Sequence, residues 1–165
     1  MVFYDADKTE IVTHRGVTFL GTTPLTGTLF SLNAKGDTAF ITTYRRGKLH
    51  GISKHYHSNG RLKSIRHFKE GWKEGEHAGW FGDGKPEFLY HYKNDMFEGN
   101  QKEWMENGQL YADLNFEKGQ ESGSQRVWYV GGKIKTNYVI KNNRRYGLLG
   151  TKNCINTVDR VLTKR

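Results

Sequence analysis

The sequence has one cysteine, two prolines and no long apolar segment, and each of these shortages excludes a class of protein. Cys154 is the only cysteine among 165 residues, so an intramolecular disulfide and a four-cysteine zinc site are excluded. No stretch approaches the roughly 18 apolar residues of a transmembrane helix. The first residues also lack the basic flank and apolar run of a signal peptide.

Apolar residues are scarce as well, but the chain is not predicted to be disordered. Only 35% of the residues are hydrophobic, whereas 13% are aromatic and 20 are glycine. Because Trp, Tyr and Phe bury large areas, they supply most of the apolar surface that folding requires. At this length the chain is expected to form one domain.

The net charge of +9 is distributed in bands along the chain. Residues 45–69 carry eight Lys or Arg and no acid, and residues 70–121 carry five basic and twelve acidic side chains. Residues 122–165 carry ten basic side chains and one acid, which gives a second positive band. Nucleic acid is therefore an unlikely partner on charge alone, because the negative band would repel a phosphate backbone laid along the protein.

A 24-residue repeat runs through the sequence without insertions. Its anchor is a glycine, and +n below denotes the nth residue after the anchor. The anchors are Gly27, Gly51, Gly75, Gly99, Gly123 and Gly147. Position +5 holds Leu32, Tyr56, Trp80, Trp104 and Trp128. Position +17 holds Tyr44, Phe68, Tyr92, Phe116 and Ile140, and position +20 holds Gly47, Gly71, Asp95, Gly119 and Asn143.

Each repeat has the pattern of a β-hairpin. Turn sequences such as Ser58-Asn59-Gly60 and Glu106-Asn107-Gly108 separate a short strand from a longer one. In the longer strand apolar residues alternate with polar ones, and Gly, Asn or Asp at +20 accepts the left-handed backbone of a second turn. We predict an all-β protein: an elongated single-layer antiparallel sheet of tandem hairpins, about 50 Å long for five repeats. Identical positions in successive repeats would then form ladders of side chains.

The repeat also divides the chain into segments. Residues 1–26 are expected to form a degenerate N-terminal capping repeat, since they contain one strand-like stretch, Val17–Leu20. Residues 27–146 are expected to form five tandem hairpin repeats. Residues 147–165 are expected to begin a partial sixth repeat and to end in a tail without periodicity.

The repeat resembles MORN repeats, in the bacterial variant grouped with YwqK-like antitoxins. The resemblance rests on residues 51–60 and 99–108, where a glycine, an aromatic residue and the pair Asn-Gly follow one another at the family's spacing. It implies an elongated antiparallel sheet and, for function, a scaffold or a surface for lipids or proteins. Chains of this kind are sometimes labelled phosphatidylinositol-4-phosphate 5-kinase, but no kinase domain is visible in the sequence.

No catalytic pattern stands out. The sequence lacks a Walker loop, HExxH and GxSxG, and its glycines recur at turn spacing. His67 and His91 fall on one ladder but have no third ligand beside them, so they are interpreted as polar-face residues and not as metal ligands. Cys154 has a basic sequence neighbour, Lys152, that could lower its pKa, but without a matched histidine and acid it is interpreted as an inert thiol. We expect no enzymatic activity, no cofactor and no metal.

Two features remain as candidate sites. The first is an aromatic ladder that would contact a protein partner and also serve as core: Tyr56, Trp80, Trp104 and Trp128. The second is a basic group that suits an anionic lipid or an acidic surface: Lys133, Lys135, Lys141, Arg144, Arg145 and Lys152.

We therefore expect a non-catalytic, protein-binding repeat module, with an antitoxin-like role suggested by the resemblance alone. The alternatives are an anionic-lipid or membrane-surface module and an accessory segment related to lipid kinases. Opposite charge bands also permit self-association. The resemblance favours the cell envelope over the cytoplasm, as a periplasmic protein or a lipoprotein whose signal has been removed.

Overall fold

A computed structural model describes residues 2–150, and within this range every regular element is a β-strand. No helix long and apolar enough to cross a membrane occurs among these residues. The predicted residues Lys152 and Cys154 and the tail lie outside the described range. The strands in chain order are β1 (Phe3–Asp5), β2 (Ile11–His14), β3 (Val17–Leu20), β4 (Thr23–Pro24), β5 (Gly27–Leu32), β6 (Thr38–Arg45), β7 (Lys48–Tyr56), β8 (Leu62–Lys69), β9 (Trp72–Lys73), β10 (Gly75–Trp80), β11 (Pro86–Lys93), β12 (Met96–Phe97), β13 (Gly99–Trp104), β14 (Leu110–Glu117), β15 (Gln120–Trp128), β16 (Ile134–Lys141) and β17 (Arg144–Leu148).

Fourteen of the strands form one long sheet in which sequence neighbours are spatial neighbours. The order is β1-β5-β6-β7-β8-β10-β11-β13-β14-β15-β16-β17, with β9 on β8 and β12 on β11. Apart from the β1–β5 pair, which is parallel, all pairings in this sheet are antiparallel. The predicted all-β sheet of consecutive hairpins is thereby confirmed.

The turn that links one repeat to the next has the same backbone in all five cases. Two consecutive residues adopt positive φ there, which is the type I′ geometry that matches the twist of the flanking strands. At the third of these turns Asn94 has φ 50° and Asp95 has φ 63°. The five pairs at +19 and +20 are Arg46-Gly47, Glu70-Gly71, Asn94-Asp95, Lys118-Gly119 and Asn142-Asn143. The prediction of left-handed backbone at +20 is therefore confirmed.

The first 26 residues contribute one strand to the long sheet and form a second, smaller sheet. Strand β1 lies on the N-terminal edge of the long sheet, and β2, β3 and β4 form a separate three-stranded sheet. This small sheet joins the first repeat at its type I′ turn, where the Thr18 amide donates to the Gly47 carbonyl (2.7 Å) and the Gly47 amide donates to the Leu25 carbonyl (2.7 Å). Leu25 is 1% exposed, so the junction contains one of the few apolar side chains buried in the protein.

The core is thin because the long sheet is a single layer. Every pair of strands in extensive contact is a hydrogen-bonded pair, so within residues 2–150 no second layer covers either face. The buried apolar side chains of this range are Leu25, Leu29, Ala112 and Tyr138. Buried polar side chains outnumber them: Thr18, Thr28, Thr42, Ser53, Ser64, His77, Gln101 and Gln125. None of the buried polar side-chain atoms in the described range lacks a hydrogen-bond partner.

Candidate interaction face

Strand pairing assigns each repeat position to one face of the long sheet. In the fourth hairpin Gly99 pairs with Phe116, Gln101 with Leu114 and Trp104 with Leu110. Directly paired residues in an antiparallel sheet project to the same side, so positions 0, +2, +5, +11, +13, +15 and +17 share one face. We call this the aromatic face, and the side that carries Lys63, Tyr111 and Lys135 the opposite face.

The four rings of the predicted aromatic ladder all lie on the aromatic face and are half-buried. Each sits at a β-bulge, because the pairing register shifts immediately before Tyr56, Trp80, Trp104 and Trp128. Within residues 2–150 no ring contact joins any two of these four side chains. They are separate contact points at equivalent places in successive repeats, and their role in partner binding remains a prediction.

Direct ring contacts occur instead along the +17 row. His77 lies between Phe68 (5.5 Å between ring centroids) and Tyr92 (4.7 Å). The Phe97 ring extends this series of contacts, since it lies between the rings of Tyr92 (4.8 Å) and Phe116 (5.1 Å). Rings of three successive repeats are therefore connected along one face, which is how a chain with so little apolar content gains cohesion.

The +2 side chains explain why the anchor glycines recur. Each anchor adopts positive φ, as at Gly99 (75°), and this bulge interrupts pairing with the preceding repeat. The buried Gln101 side chain fills the interruption: its Oε1 accepts from the His91 amide (2.7 Å) and its Nε2 donates to the His91 carbonyl (3.1 Å). In the preceding repeat, His77 at the same position makes one of these two bonds: its Nε2 donates to the His67 carbonyl (2.8 Å).

Histidines of the +16 row also bind main chain and do not form a metal centre. His67 Nδ1 donates to the Glu76 carbonyl (2.5 Å), and His91 Nδ1 donates to the Asn100 carbonyl (2.6 Å). Asn115 makes the equivalent bond in the next repeat. Among residues 2–150 no group of three or more His, Cys, Asp or Glu side chains has the arrangement of a metal site.

His55 and His57, which the sequence places on one strand face, have different surroundings. His55 stacks on Phe40 with 5.7 Å between ring centroids. His57 belongs to the turn after the bulge, and its Nε2 donates to the Trp80 carbonyl (2.8 Å).

Two concave pits occupy equivalent places on the aromatic face. The first, of about 310 Å³, lies between the first and second repeats, and the second, of about 280 Å³, lies between the second and third. The first is lined by Leu29, Phe40, Thr42, Tyr44, Leu49, Ser53, His55, Arg66 and Phe68. The second is lined by Arg66, Phe68, Lys73, His77, Phe88, Tyr90 and Tyr92. Arg66 and Phe68 border both pits and form the wall between them.

The residue at +22 decides whether such a pit is open. Leu49 and Lys73 occupy this position in the two open intervals. In the third interval the same position holds Phe97, whose ring packs against Tyr90 (5.5 Å) and Tyr92 (4.8 Å) and takes up the equivalent space. These two pits therefore lie between the N-terminal three repeats, within and beside the positive band at residues 45–69. At the C-terminal end, Glu121 at +22 and Ile140 border two further concavities, of about 450 and 590 Å³.

The cations that line the pits are Arg66 and Lys73, and one carboxylate, that of Glu103, accepts from the Tyr90 hydroxyl at the wall of the second pit (2.6 Å). Burial, followed by the charges of Arg66 and Lys63, lowers the pKa of His55. Burial is also the main cause of the lowered pKa of His77, to which the positive charges of Arg66 and Lys73 contribute. Both rings are thus held in the neutral form near pH 7, and the fixed cations beside them are Arg66 and Lys73.

The predicted basic group at the C-terminal end is not brought together. Lys133 directly precedes β16 and Lys141 ends it, so the two lie about 27 Å apart at roughly 3.4 Å per residue. Lys135 lies over the Tyr129 ring on the opposite face (5.7 Å from Nζ to the centroid). Arg145 forms an ion pair with Glu121 (2.8 Å) on the aromatic face, whereas Arg144 pairs with Lys141 across the strands and projects to the opposite face.

Sequence reasoning did not single out Arg66, Lys73 or the +2 side chains. The +15 row of the aromatic face reads Thr42, Arg66, Tyr90, Leu114 and Tyr138. Arg66 is the one charged residue in this row, and that feature of the sequence could have identified it. The +2 row reads Leu29, Ser53, His77, Gln101 and Gln125. All five side chains are buried, but four are polar, so hydrophobicity does not predict their burial.

Comparison with curated proteins finds no match for this chain. A protein-family model described as the MORN repeat variant matches residues 49–70 and 97–118. The two segments begin 48 residues apart, which is twice the repeat period, and they cover the β7–β8 and β13–β14 hairpins. The match does not extend to the YwqK-like or kinase assignments. Two of the hairpins in this chain thus match the MORN repeat variant, in agreement with the resemblance seen in their glycine, aromatic and Asn-Gly spacing.

Proposed function

We propose that the protein is a non-catalytic repeat scaffold that binds a partner protein across its aromatic face. The observation that supports this most directly is the repetition of half-exposed rings on one side of a sheet that no second layer covers in residues 2–150. Aromatic side chains at regular intervals provide large, stiff contact areas. Residues of this type contribute much of the binding energy in protein interfaces. A flat series of such contacts suits a macromolecular surface better than a small substrate.

The polar side chains on the sheet support a scaffold and not a catalyst. Three histidines of the sheet are occupied by main-chain groups: His67, His77 and His91 each donate to a carbonyl of a neighbouring repeat. Side chains held in this way fix the distance between repeats, and therefore the spacing of the rings.

The anionic-lipid alternative has weaker support from the geometry. A flat lipid surface engages cations that project to one side, but Arg144 and Arg145 project to opposite faces and Lys133 lies beyond the other end of β16. An accessory role beside a lipid kinase rests only on the label that such chains sometimes carry.

The proposed function can be tested by site-specific crosslinking in cells that naturally produce the protein. A photoreactive phenylalanine analogue at Trp104, on the aromatic face, should capture a partner protein. The same analogue at Tyr111, which is 36% exposed on the opposite face of the same hairpin, provides the matched control. The captured partner is then purified, and its affinity for the wild type and for the Trp104→Ala and Tyr111→Ala variants is measured.

We expect Trp104→Ala to weaken binding at least tenfold and Tyr111→Ala to change it less than twofold, with both variants keeping the far-ultraviolet circular dichroism spectrum of the wild type. Equal capture from both faces, or affinity that survives Trp104→Ala, would show that the aromatic face is not the binding surface. Sedimentation with phosphatidylglycerol vesicles that Arg144→Glu abolishes would favour the lipid alternative.

A further inference from the structure

The two pits that share Arg66 have a chemistry of their own. We propose that they form one groove for an acidic segment of the partner protein, in which the Arg66 guanidinium pairs with a partner carboxylate and the flanking rings hold apolar side chains on either side of it. This rests on the proposed function and specifies where, and by what chemistry, the partner is recognised.

The first argument is the state of Arg66. Its side chain is exposed and takes part in none of the ion pairs or side-chain hydrogen bonds of residues 2–150. Two other arginines on the sheet are engaged by acids: Arg45 pairs with Glu70, and Arg145 pairs with Glu121. A guanidinium offers five donors in a planar fork that matches a carboxylate, so Arg66 has its full capacity available for a ligand.

The second argument is the surroundings of the guanidinium. Phe68 stands beside it in both pits, and Tyr90, Tyr92 and Phe40 complete the walls. Such walls exclude water from a bound carboxylate, which strengthens its attraction to Arg66 relative to a contact in bulk solvent. An acidic residue flanked by apolar residues satisfies both the cation and the walls.

The third argument is the size and position of the groove. Volumes of about 310 and 280 Å³ each accept one or two side chains, and the pits repeat from one interval to the next. This geometry fits a peptide segment that runs across the hairpins, with successive side chains in successive pits. Phe97 fills the third interval, so the continuous groove formed by the two pits ends there.

The fourth argument is charge complementarity. Arg66 lies on β8, which together with its neighbour β7 belongs to the stretch 45–69 that has eight Lys or Arg and no acid. Its other neighbour, β10, belongs to the acidic stretch 70–121, so Arg66 is the cation that the positive stretch itself contributes to the lining of the groove. Lys73 adds a further cation at the rim of the second pit, where its Nζ lies 4.8 Å from the centroid of the Tyr92 ring. An acidic segment would be attracted to this end of the sheet over distances of about 10 Å at physiological salt.

The test begins with a probe of defined chemistry. Random nine-residue peptides displayed on phage are selected against the full-length wild-type protein, and the most enriched peptide is synthesised with a fluorescent label. Enriched peptides are expected to contain Asp or Glu between apolar residues more often than the unselected library. Affinity is measured by fluorescence polarisation, and replacing the acid of the peptide by its amide should weaken binding at least tenfold.

Variants of the protein then identify the groove. Arg66→Glu and Arg66→Gln should each weaken binding at least tenfold, while Lys63→Glu, on the opposite face of the same strand, should change it less than twofold. Lys73→Phe imitates Phe97 and should close the second pit, with at least a tenfold loss, whereas Lys73→Gln, which removes the charge without filling the pit, should lose severalfold. A peptide with Lys in place of its acid should regain affinity for Arg66→Glu.

The outcomes separate the two proposals. Enrichment of peptides without acids, equal losses for Arg66→Glu and Lys63→Glu, or the absence of any enriched peptide overturns the acidic groove. Peptides that lack acids, bind equally to Arg66→Glu and are lost on Trp104→Ala would leave the aromatic face as the partner-binding surface while removing Arg66 from it. Circular dichroism melting curves of each variant establish that a loss of binding is not a loss of fold.

Discussion

The side-chain amide of Gln125 is bonded to both main-chain groups of Asn115, a residue in the preceding repeat. Its Nε2 donates to the Asn115 carbonyl (2.6 Å), and its Oε1 accepts from the Asn115 amide (3.3 Å). Gln125 is fully buried, so this side chain replaces a pair of strand-to-strand bonds at the bulge created by Gly123. In the third, fourth and fifth repeats, a polar side chain at +2 thus bonds to the main chain of the preceding repeat where the backbone ladder is interrupted.

We expect Gln125→Ala to lower the free energy of unfolding by about 2 to 4 kcal/mol, because it leaves buried main-chain groups of Asn115 without a partner. Urea denaturation followed by tryptophan fluorescence measures the change. Gln120→Ala is the matched control, since Gln120 is exposed and its side chain makes no hydrogen bond within residues 2–150. Similar midpoints for Gln125→Ala and the wild type would mean that water replaces the amide at little cost.

His77 occupies the same +2 position and makes stability dependent on pH. Burial lowers the pKa of His77 below its ordinary value of 6.5, so the folded protein binds this proton less readily than the unfolded chain. The contribution of His77 is fully present above about pH 6.5 and is lost as the pH falls through the lowered pKa. The slope from one such group is at most about 1.4 kcal/mol per pH unit.

We therefore expect His77→Gln, which installs the residue found at the equivalent position of later repeats, to reduce the loss of stability between pH 7.5 and pH 5. Thermal unfolding at a series of pH values measures this slope. The reciprocal variant, Gln125→His, should steepen it. Parallel curves for His77→Gln and the wild type would show that His77 is not the group responsible.

The sequence predicts the fold well because the period is carried by residues with strict backbone requirements. Glycine at the anchor and Gly, Asn or Asp at +20 mark positions of positive φ, and the pleat then assigns the rows to faces. The matches at residues 49–70 and 97–118 fall on the units whose turns read Asn-Gly.

The candidate site was less predictable, for a physical reason. Burial in a single-layer sheet depends on how each side chain fills a bulge, so polar Gln101 and Gln125 are buried while Trp72 is 54% exposed. Hydrophobicity alone would reverse that order. Whether a pit is open depends on how the +22 side chain packs against the rings around it, and the structure shows that Phe97 fills an interval that Lys73 leaves open.

Phe97 should contribute strongly to stability because it connects three other rings of the aromatic face: Tyr90, Tyr92 and Phe116. Since the side chain is only half-buried, we expect Phe97→Ala to cost about 2 kcal/mol, below the range for a fully buried phenylalanine. Met96 is its neighbour in the same short strand and is 44% exposed, so Met96→Ala should cost less than about 0.5 kcal/mol. Equal destabilisation by the two variants in urea would argue against a connecting role for Phe97.

Gly79 provides a test of how closely the aromatic face is packed. It pairs directly with Phe88, and a Cβ at this position would lie 2.6 Å from Cζ of that ring, so the ring has to move to accommodate a methyl group. We expect Gly79→Ala to cost about 1 to 3 kcal/mol in urea denaturation and to shift the nuclear magnetic resonance signals of the Phe88 ring. Gly82, three residues later, has open space around its Cβ direction and no positive φ, so Gly82→Ala should be neutral or slightly stabilising.

Because Phe88 also lines the pit that contains Arg66, Gly79→Ala should weaken the binding of an acidic peptide to that groove, whereas Gly82→Ala should not. A Gly79→Ala variant with wild-type stability and unchanged Phe88 signals would show that the ring has room to move.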